Sequence, residues 1–439
     1  MQLGFAAEKI AKGFLGIWAR KAPSFLIMGL TRYSRVIRSE ESKRTDTFVL
    51  QNPTLEEQLV ISRKAKNFLS NYKKGSIFNL LPSNRLFVSE LRKMGFWNSS
   101  DEDVFICDEY DGLPLSSLNI ELTNSCNLNC VHCYGSFGVP IESRTISLSQ
   151  IEELLMDLDV LNTQQVTLTG GECLLVKDID SIALAILERG LNLWVMTNGV
   201  LFDVLCKLVE KTKGFYYSVK ISLDGLEHTH DLIRNKKTAF ENTIKSLDFI
   251  YSQPNIRLYI STVVMKDNVG ELKEIKRFVK ERYPNAVHSI DIIFPSGNAK
   301  LDSSHCFSFS ELKSIANEYP TLFSMKEKRI NKKFFRCTGG ISQATLKPDG
   351  KLKICNIAED ERFFFKKNVF IDGLRKVWED CGLNISSFRE EKAKCTKDCL
   401  QCPSRDECEI TDCRVFAWLL TGSENNSSPM TCFMTRGIK

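Results

Sequence analysis

From about residue 115 onward, short apolar runs alternate with longer stretches in which apolar residues recur every three or four positions. The runs LNIEL, QVTLTG, LNLWVMT, YSVKISL, RLYISTVV and SIDIIF have strand length and are rich in β-branched residues, so each predicts a strand. The segments between them predict helices beginning near Ser149, Ile179, Leu201, Phe240 and Val269, with a sixth near Phe309. Ser149-x-x-Glu152 predicts a capping box for the first, and Gly190 a terminus for the second. Six strand–helix units in about 200 residues predict an α/β fold, a parallel sheet curled into a partial (β/α)6 barrel whose chemistry belongs at the C-terminal ends of its strands.

The pattern differs on either side of this block. Residues 2–18, QLGFAAEKIAKGFLGIW, place Leu3, Ala6, Ala7, Ile10, Phe14, Ile17 and Trp18 on one helical face with Lys9 and Lys12 opposite. This is an amphipathic helix that packs on the protein itself or rests on a membrane surface. Next, YSRVIRSEE, TFVLQNP and EQLVIS predict strands, and RKAKNFLSNYKK and SNRLFVSELRKMGF predict helices. That β-then-α order predicts a small winged-helix-like module. From Cys337 onward periodicity fades and nine cysteines take its place, so metal is expected to substitute for apolar core. At 439 residues the chain exceeds the roughly 250–300 at which one core stops growing. Its expected divisions are an amphipathic region 1–32, the module 33–110, the barrel 115–325 and a cysteine-rich domain 330–439.

Charge excludes little but narrows the partners. Fifty-nine basic residues against 54 acidic leave a net +5, no global footprint for nucleic acid. SNRLFVSELRKMGF is also poor in basic residues for a DNA-reading helix, so no nucleic-acid partner is expected. No apolar run reaches the roughly 18–20 residues that cross a bilayer, which leaves only peripheral membrane contact through residues 2–18. Sixteen cysteines without a secretory signal predict a reducing, cytoplasmic setting, where clustered thiolates hold metal rather than pair in disulfides.

The densest chemistry is CNLNCVHCY at 126–134, in which Cys126, Cys130 and Cys133 follow the first barrel strand. Three thiolates leave one iron of a 4Fe–4S cluster without a protein ligand; a zinc site completed by His132 is the other reading. Spacing alone leaves both open. The second strand ends in TGGE at 169–172, the third in TNG at 197–199, and the fourth in SLDG at 222–225, followed by HDLIR with Arg234. With these, the chain resembles the radical S-adenosylmethionine (SAM) family.

The resemblance implies that Cys126, Cys130 and Cys133 hold a 4Fe–4S cluster whose open iron chelates SAM by its amino and carboxylate groups. An electron from the reduced cluster, supplied by a reductant such as flavodoxin or ferredoxin, then cleaves SAM to methionine and a 5'-deoxyadenosyl radical. It further implies a SAM pocket of Gly170, Gly171, Glu172, Asn198, Ser222, Asp224 and Arg234. In that pocket Glu172 faces the methionine ammonium, Ser222 and Asp224 the ribose, and Arg234 the carboxylate. Cys173 stands where many members carry proline. No catalytic acid or base is implied.

The later cysteines follow a second pattern: Cys337-x12-Gly350-x4-Cys355, then Cys399-x2-Cys402-x5-Cys408-x4-Cys413, then Cys432. This resembles the SPASM extension of radical SAM enzymes that modify peptides and proteins, although the gap before Cys413 is four residues where the family has three. A pair of zinc knuckles is the competing reading of the paired cysteines. The resemblance implies two auxiliary 4Fe–4S clusters, the inner on Cys337, Cys355 and Cys413 and the outer on Cys399, Cys402, Cys408 and Cys432. Cys395 or a substrate thiolate completes the inner one. The module at 33–110 resembles the element with which peptide maturases capture a leader as an added strand.

The implied whole is a partial radical SAM barrel between a winged-helix-like peptide-recognition module and an iron–sulfur SPASM domain. Such an enzyme installs a thioether or carbon–carbon cross-link in a ribosomally made precursor peptide, and an open inner iron favours the thioether. The alternative is a SPASM enzyme that oxidises a folded protein, as sulfatase maturases do, or a small molecule.

Overall fold

The computed structural model describes residues 18–19, 34–37, 47–51, 58–71, 82–94, 104–106, 112–138, 142–319, 338–382, 385, 386, 389, 413–424 and 426. Strands β1 Trp18–Ala19, β2 Ser34–Ile37, β3 Thr47–Gln51, β4 Gln58–Ser62 and β5 Val104–Ile106 form one sheet in the order β1-β4-β3-β2-β5. The period-two alternation of TFVLQ and QLVIS buries Phe48, Leu50, Leu59 and Ile61 on one face. Ala65 and Leu69 of helix Arg63–Asn71, and Phe87, Val88 and Leu91 of helix Pro82–Lys93, complete that small core. The helix expected over 2–18 lies outside the described residues except for Trp18. That residue pairs with Val60 in β1, so the open edge of β4 outweighs helical periodicity at this position.

The second sheet begins with β6 Ser117–Glu121, β7 Gln165–Thr169, β8 Asn192–Thr197, β9 Tyr217–Ser222, β10 Ile256–Val264 and β11 Val287–Ile292. Each pairs in parallel with the next, as the alternating pattern predicts. Three more strands, β12 Gln343–Leu346, β13 Lys351–Lys353 and β14 Phe364–Asn368, extend it to nine. β12 lies parallel to β6, while β13 and β14 are antiparallel. They escape a periodicity reading because each is three to five residues long and β13 reads KLK.

Helices Leu148–Val160, Ile179–Glu188, Phe202–Lys211, Ala239–Tyr251 and Leu272–Arg282 join the strands. Their buried Leu154, Ile182, Leu205, Leu247 and Ile275 share one core with alternate strand residues such as Leu118, Val166, Leu193, Val219 and Leu258. A shorter helix, Glu227–Arg234, falls where only the HDLIR run had been singled out. The first helix is capped by Ser147 rather than Ser149. Ser147 is extended and its hydroxyl accepts from the amide of Gln150, whose side chain returns the bond. Ser149 already lies inside the first turn, so Ser149 and Glu152 form no box. Gly190, at φ 74°, ends the second helix as expected.

The other strand face is polar and concave. Rings on β8 and β10, Trp194 and Tyr259, meet at 4.4 Å between centroids across the intervening β9, which a flat sheet would not allow. The two sheets touch through Gln51, fully buried. Its side-chain amide donates to the carbonyls of Gln164 and Gly190, both at 3.0 Å, and its oxygen accepts from Asn192 at 3.3 Å.

Candidate functional site

The loop after β6 carries Cys126, Cys130 and Cys133, with Cys130 buried and the other two half-buried. Two neighbouring turns hold it. Gly171 and Glu172 donate backbone N–H to the carbonyls of Thr123 and Ser125 at 2.8 and 3.0 Å. A Cβ at Gly170 would sit 2.4 Å from the Thr123 carbonyl oxygen, and one at Gly171 would sit 2.1 Å from that of Ser125. The paired glycines thus let two stretches of backbone touch, a reason independent of any ligand. On the other side Asn298 donates to the carbonyls of Cys133 and Cys130 at 2.9 and 2.8 Å. Gly297, at φ 54°, lies against Cys133 and Tyr134.

Beneath the loop lies a fully buried carboxylate, Asp224. One oxygen accepts the Val263 amide at 2.8 Å; the other takes His132 Nε2 at 2.7 Å and Arg234 Nη2 at 2.5 Å. Burial alone would raise the Asp224 pKa, but Arg234 and then His132 outweigh it and hold the group well below the ordinary carboxylate range. Arg234 also donates from Nη1 to Cys130 Sγ at 3.7 Å, and its Nε is buried without a partner. Asn198 sends Nδ2 to Asn127 at 2.8 Å and towards Cys126 Sγ at 4.0 Å. Glu172 is buried and accepts backbone N–H from Leu174 at 3.1 Å and Asn198 at 2.8 Å, tying the end of β7 to the end of β8. Its Oε1 also takes the Cys173 thiol at 3.8 Å. Ser222 ends β9 half-buried.

Of the residues anticipated around SAM, Gly170, Gly171, Glu172, Asn198, Ser222 and Asp224 lie at the ends of β7, β8 and β9, and Arg234 ends the helix that follows. Asp224 and Arg234 turn towards each other and the cysteine loop, and their roles towards the ribose and the SAM carboxylate are taken up below as proposals. Sequence reasoning missed Asp224's grip on His132, weighed there only as a zinc ligand, and the Gly297–Asn298 staple, which no spacing marks. It also missed a polar knot at the seam with β13. Lys353, fully buried, pairs with Glu121 at 2.9 Å and with Glu359; Tyr134 donates to Glu121 at 3.4 Å. Burial pushes Glu121 up against the pull of Lys353, while the two carboxylates outweigh burial at Lys353 and keep it charged. A KLK strand gives no sequence signal for a buried lysine.

The donor set fits an iron–sulfur cluster. Burial pushes the Cys126 thiol up to about 12 and raises that of Cys130, so thiolates here need cationic charge against them. Arg234 and Asn198 present N–H groups to two of the sulfurs, as clusters require of their surroundings. Among the described residues no three His, Cys, Asp or Glu side chains are grouped to hold a metal ion. Cys355 and Cys413 are half-buried against the main core. Cys337, Cys395, Cys399, Cys402, Cys408 and Cys432 lie outside the described residues. Among the described residues no helix is long and apolar enough to cross a membrane.

The profile of the Radical SAM superfamily matches residues 120–279. The sporulation killing factor maturation protein SkfB of Bacillus subtilis is 30% identical over 179 residues, 40% of this chain and 42% of that protein. The Fe-coproporphyrin III synthase of Methanosarcina barkeri is 30% identical over 154 residues, 35% of this chain and 38% of the other. The matched region spans about two-fifths of the length of these relatives. In fold, the chain is similar to Streptococcus suis SuiB bound to precursor peptide SuiA. There the TM-score is 0.60 at 18% identity, covering 92% of this chain and 100% of that one.

Proposed function

We propose, from the radical SAM domain that residues 120–279 form, that the protein is a radical SAM maturase acting on a ribosomally made precursor peptide. The observation that carries this reading is the cysteine loop at the C-terminal end of β6, with N–H groups of Arg234 and Asn198 aimed at two of its sulfurs. When bound, cluster and SAM supply a 5'-deoxyadenosyl radical able to take hydrogen from an unactivated carbon. Cys126, Cys130 and Cys133 hold the cluster. Asp224 fixes Arg234 against Cys130 and His132 within the loop, so that the sulfurs do not move as charge changes. Glu172 would face the methionine ammonium, and Ser222 would offer a hydroxyl to the ribose; Gly170 and Gly171 shape the turn between. Asp224 would also face the ribose, and Arg234, whose Nε is buried without a partner, the SAM carboxylate.

The peptide as substrate is supported by the likeness to SuiB, which extends over nearly the whole chain, and by the maturation role in SkfB's name. The five-stranded sheet would take the leader on an open edge as an added strand, and the division at 33–110, 115–325 and 330–439 follows from that plan. Cys355 and Cys413 with Cys337 would hold an inner auxiliary cluster, and Cys399, Cys402, Cys408 and Cys432 an outer one. With Cys395 not needed as a ligand, the inner site would take a substrate thiolate and the product would be a thioether. We place the enzyme in the cytoplasm with flavodoxin or ferredoxin as reductant. The likeness to Fe-coproporphyrin III synthase favours a second reading, a small-molecule substrate.

The experiment is anaerobic incubation of the reconstituted full chain with SAM, reductant and the precursor peptide encoded beside its gene. Loss of two or more hydrogens from the peptide is expected by mass spectrometry. The Cys126→Ala, Cys130→Ala, Cys133→Ala triple variant is expected to make no 5'-deoxyadenosine while retaining iron at the C-terminal cysteines. Continued SAM cleavage by that variant would remove the cluster assignment; SAM cleavage by wild type with an unchanged peptide would favour the small-molecule reading.

A further inference from the structure

The concave face of the barrel sheet carries a charge that the site above does not use. In register across five strands, one row of that face reads Glu121, Thr169, Met196, Lys220 and Tyr259. Glu121 is matched by Lys353 at one end. Lys220, half-buried on β9, has no hydrogen-bond or ion-pair partner among the described residues. Its cross-strand neighbours are the thioether of Met196 and the phenol of Tyr259, and Ser218 and Ser222 precede and follow it on the same face. A half-buried ammonium among neutral groups is uphill without an anion.

The surroundings are built like a binding site. One row deeper, Ser218 stands between Trp194 and Arg257, and the small serine lets the Trp194 and Tyr259 rings meet as a floor, with the Arg257 guanidinium 5.5 Å from the Tyr259 ring centroid. One row nearer the cysteine loop, Ser222, Ser261 and Ser289 stand side by side on β9, β10 and β11. The Ser289 hydroxyl is buried without a partner. An aromatic floor, a line of hydroxyls and one unmatched ammonium describe a receptor for a carboxylate attached to an apolar stem. Lys220 is two residues before Ser222, so it lies about 7 Å deeper than the strand-end rim, below the place where SAM would be held.

We infer that Lys220, with the Trp194–Tyr259 floor, is the subsite that receives a carboxylate of the peptide substrate, from an Asp or Glu side chain or from the C-terminus. The inference rests on the peptide-maturase reading and deepens it: an acidic group of the peptide fixes which residue lies nearest the rim. Lys220 is a substrate-positioning residue for that reaction.

The test measures half-saturating peptide and half-saturating SAM for wild type, Lys220→Met and Lys220→Arg. The peptides are the precursor, versions with each core Asp or Glu changed to Asn or Gln, and a C-terminal amide. For the unaltered precursor, Lys220→Met is expected to raise half-saturating peptide about ten- to hundredfold, and Lys220→Arg to recover most of it. One neutralised peptide is expected to be as poor with wild type as the precursor is with Lys220→Met, with no further loss when the two changes are combined. Whether that peptide carries the side-chain change or the amide identifies the carboxylate. Unchanged half-saturation with Lys220→Met, or a shift in SAM alone, overturns the subsite. If Lys220→Met fails to incorporate iron, the peptide series on wild type decides, and no weakened peptide overturns it as well. Wild type that cleaves SAM but alters no precursor sinks the maturase reading and the subsite together; modification indifferent to Lys220 sinks the subsite alone.

Discussion

Arg234 and Lys353 are both buried cations, and each depends on a carboxylate that burial would otherwise make costly. Asp224→Asn removes the negative charge that Arg234 and His132 share, a change expected to cost about 3–5 kcal/mol and to lower iron bound per chain, measured by anaerobic urea unfolding and iron assay. Lys353→Met strands Glu121 in the same way, whereas Lys353→Met combined with Glu121→Gln is expected to recover part of the loss. A third residue makes stability depend on pH. Burial, then Lys276, lowers the His288 pKa to about 4 from 6.5, and the ring donates to Thr262, whose hydroxyl is already given to the Leu223 carbonyl. Between those two values the unfolded chain takes up a proton that the fold refuses. The contribution is therefore complete above pH 6.5 and declines as pH falls towards 4. Urea midpoints at pH 7.5 and pH 5 should differ less in His288→Gln than in wild type.

At the level of elements, the cysteine loop is positioned by turns rather than by its own sequence. Gly297→Ala would put a Cβ 2.1 Å from the Cys133 carbonyl oxygen, so the variant should bind less iron with the barrel still folded, read by iron assay beside circular dichroism. The barrel strands were legible because their apolar faces repeat with a fixed period and alternate with amphipathic helices. The TGGE turn was legible because a close backbone approach demands glycine, and the three cysteines stood out by their spacing in one loop. The Asp224 triad was not, since His132, Asp224 and Arg234 lie up to 102 positions apart and only the fold brings them together. The β12–β14 extension stayed hidden for another reason: in a three-residue strand, pairing with a neighbour outweighs any intrinsic pattern. The capping error of two residues is of the same kind, because QIEE and ISLSQ offer several serines and acceptors to one turn.

At the scale of the whole molecule, the Gln51 side chain ties the small sheet to the barrel through the carbonyls of Gln164 and Gly190. Gln51→Leu leaves the buried Gly190 carbonyl without this donor, at about 1–3 kcal/mol, while the Gln164 carbonyl keeps the amide of Asn192. Calorimetry is expected to resolve an earlier transition for the N-terminal part, with uncoupled SAM cleavage retained. The seam between β6 and β12 acts over a longer span. It pairs Asn119 with Thr345, so the first barrel strand gains its second neighbour only after some 220 further residues have been made. Until then β6 presents a bare edge to other nascent chains. Contacts between such distant segments form slowly. On the ribosome, therefore, the cysteine loop would wait for the end of the barrel and the hairpin beyond it before its surroundings were complete, and the cell would have to supply iron and sulfur to a finished chain rather than to an emerging one.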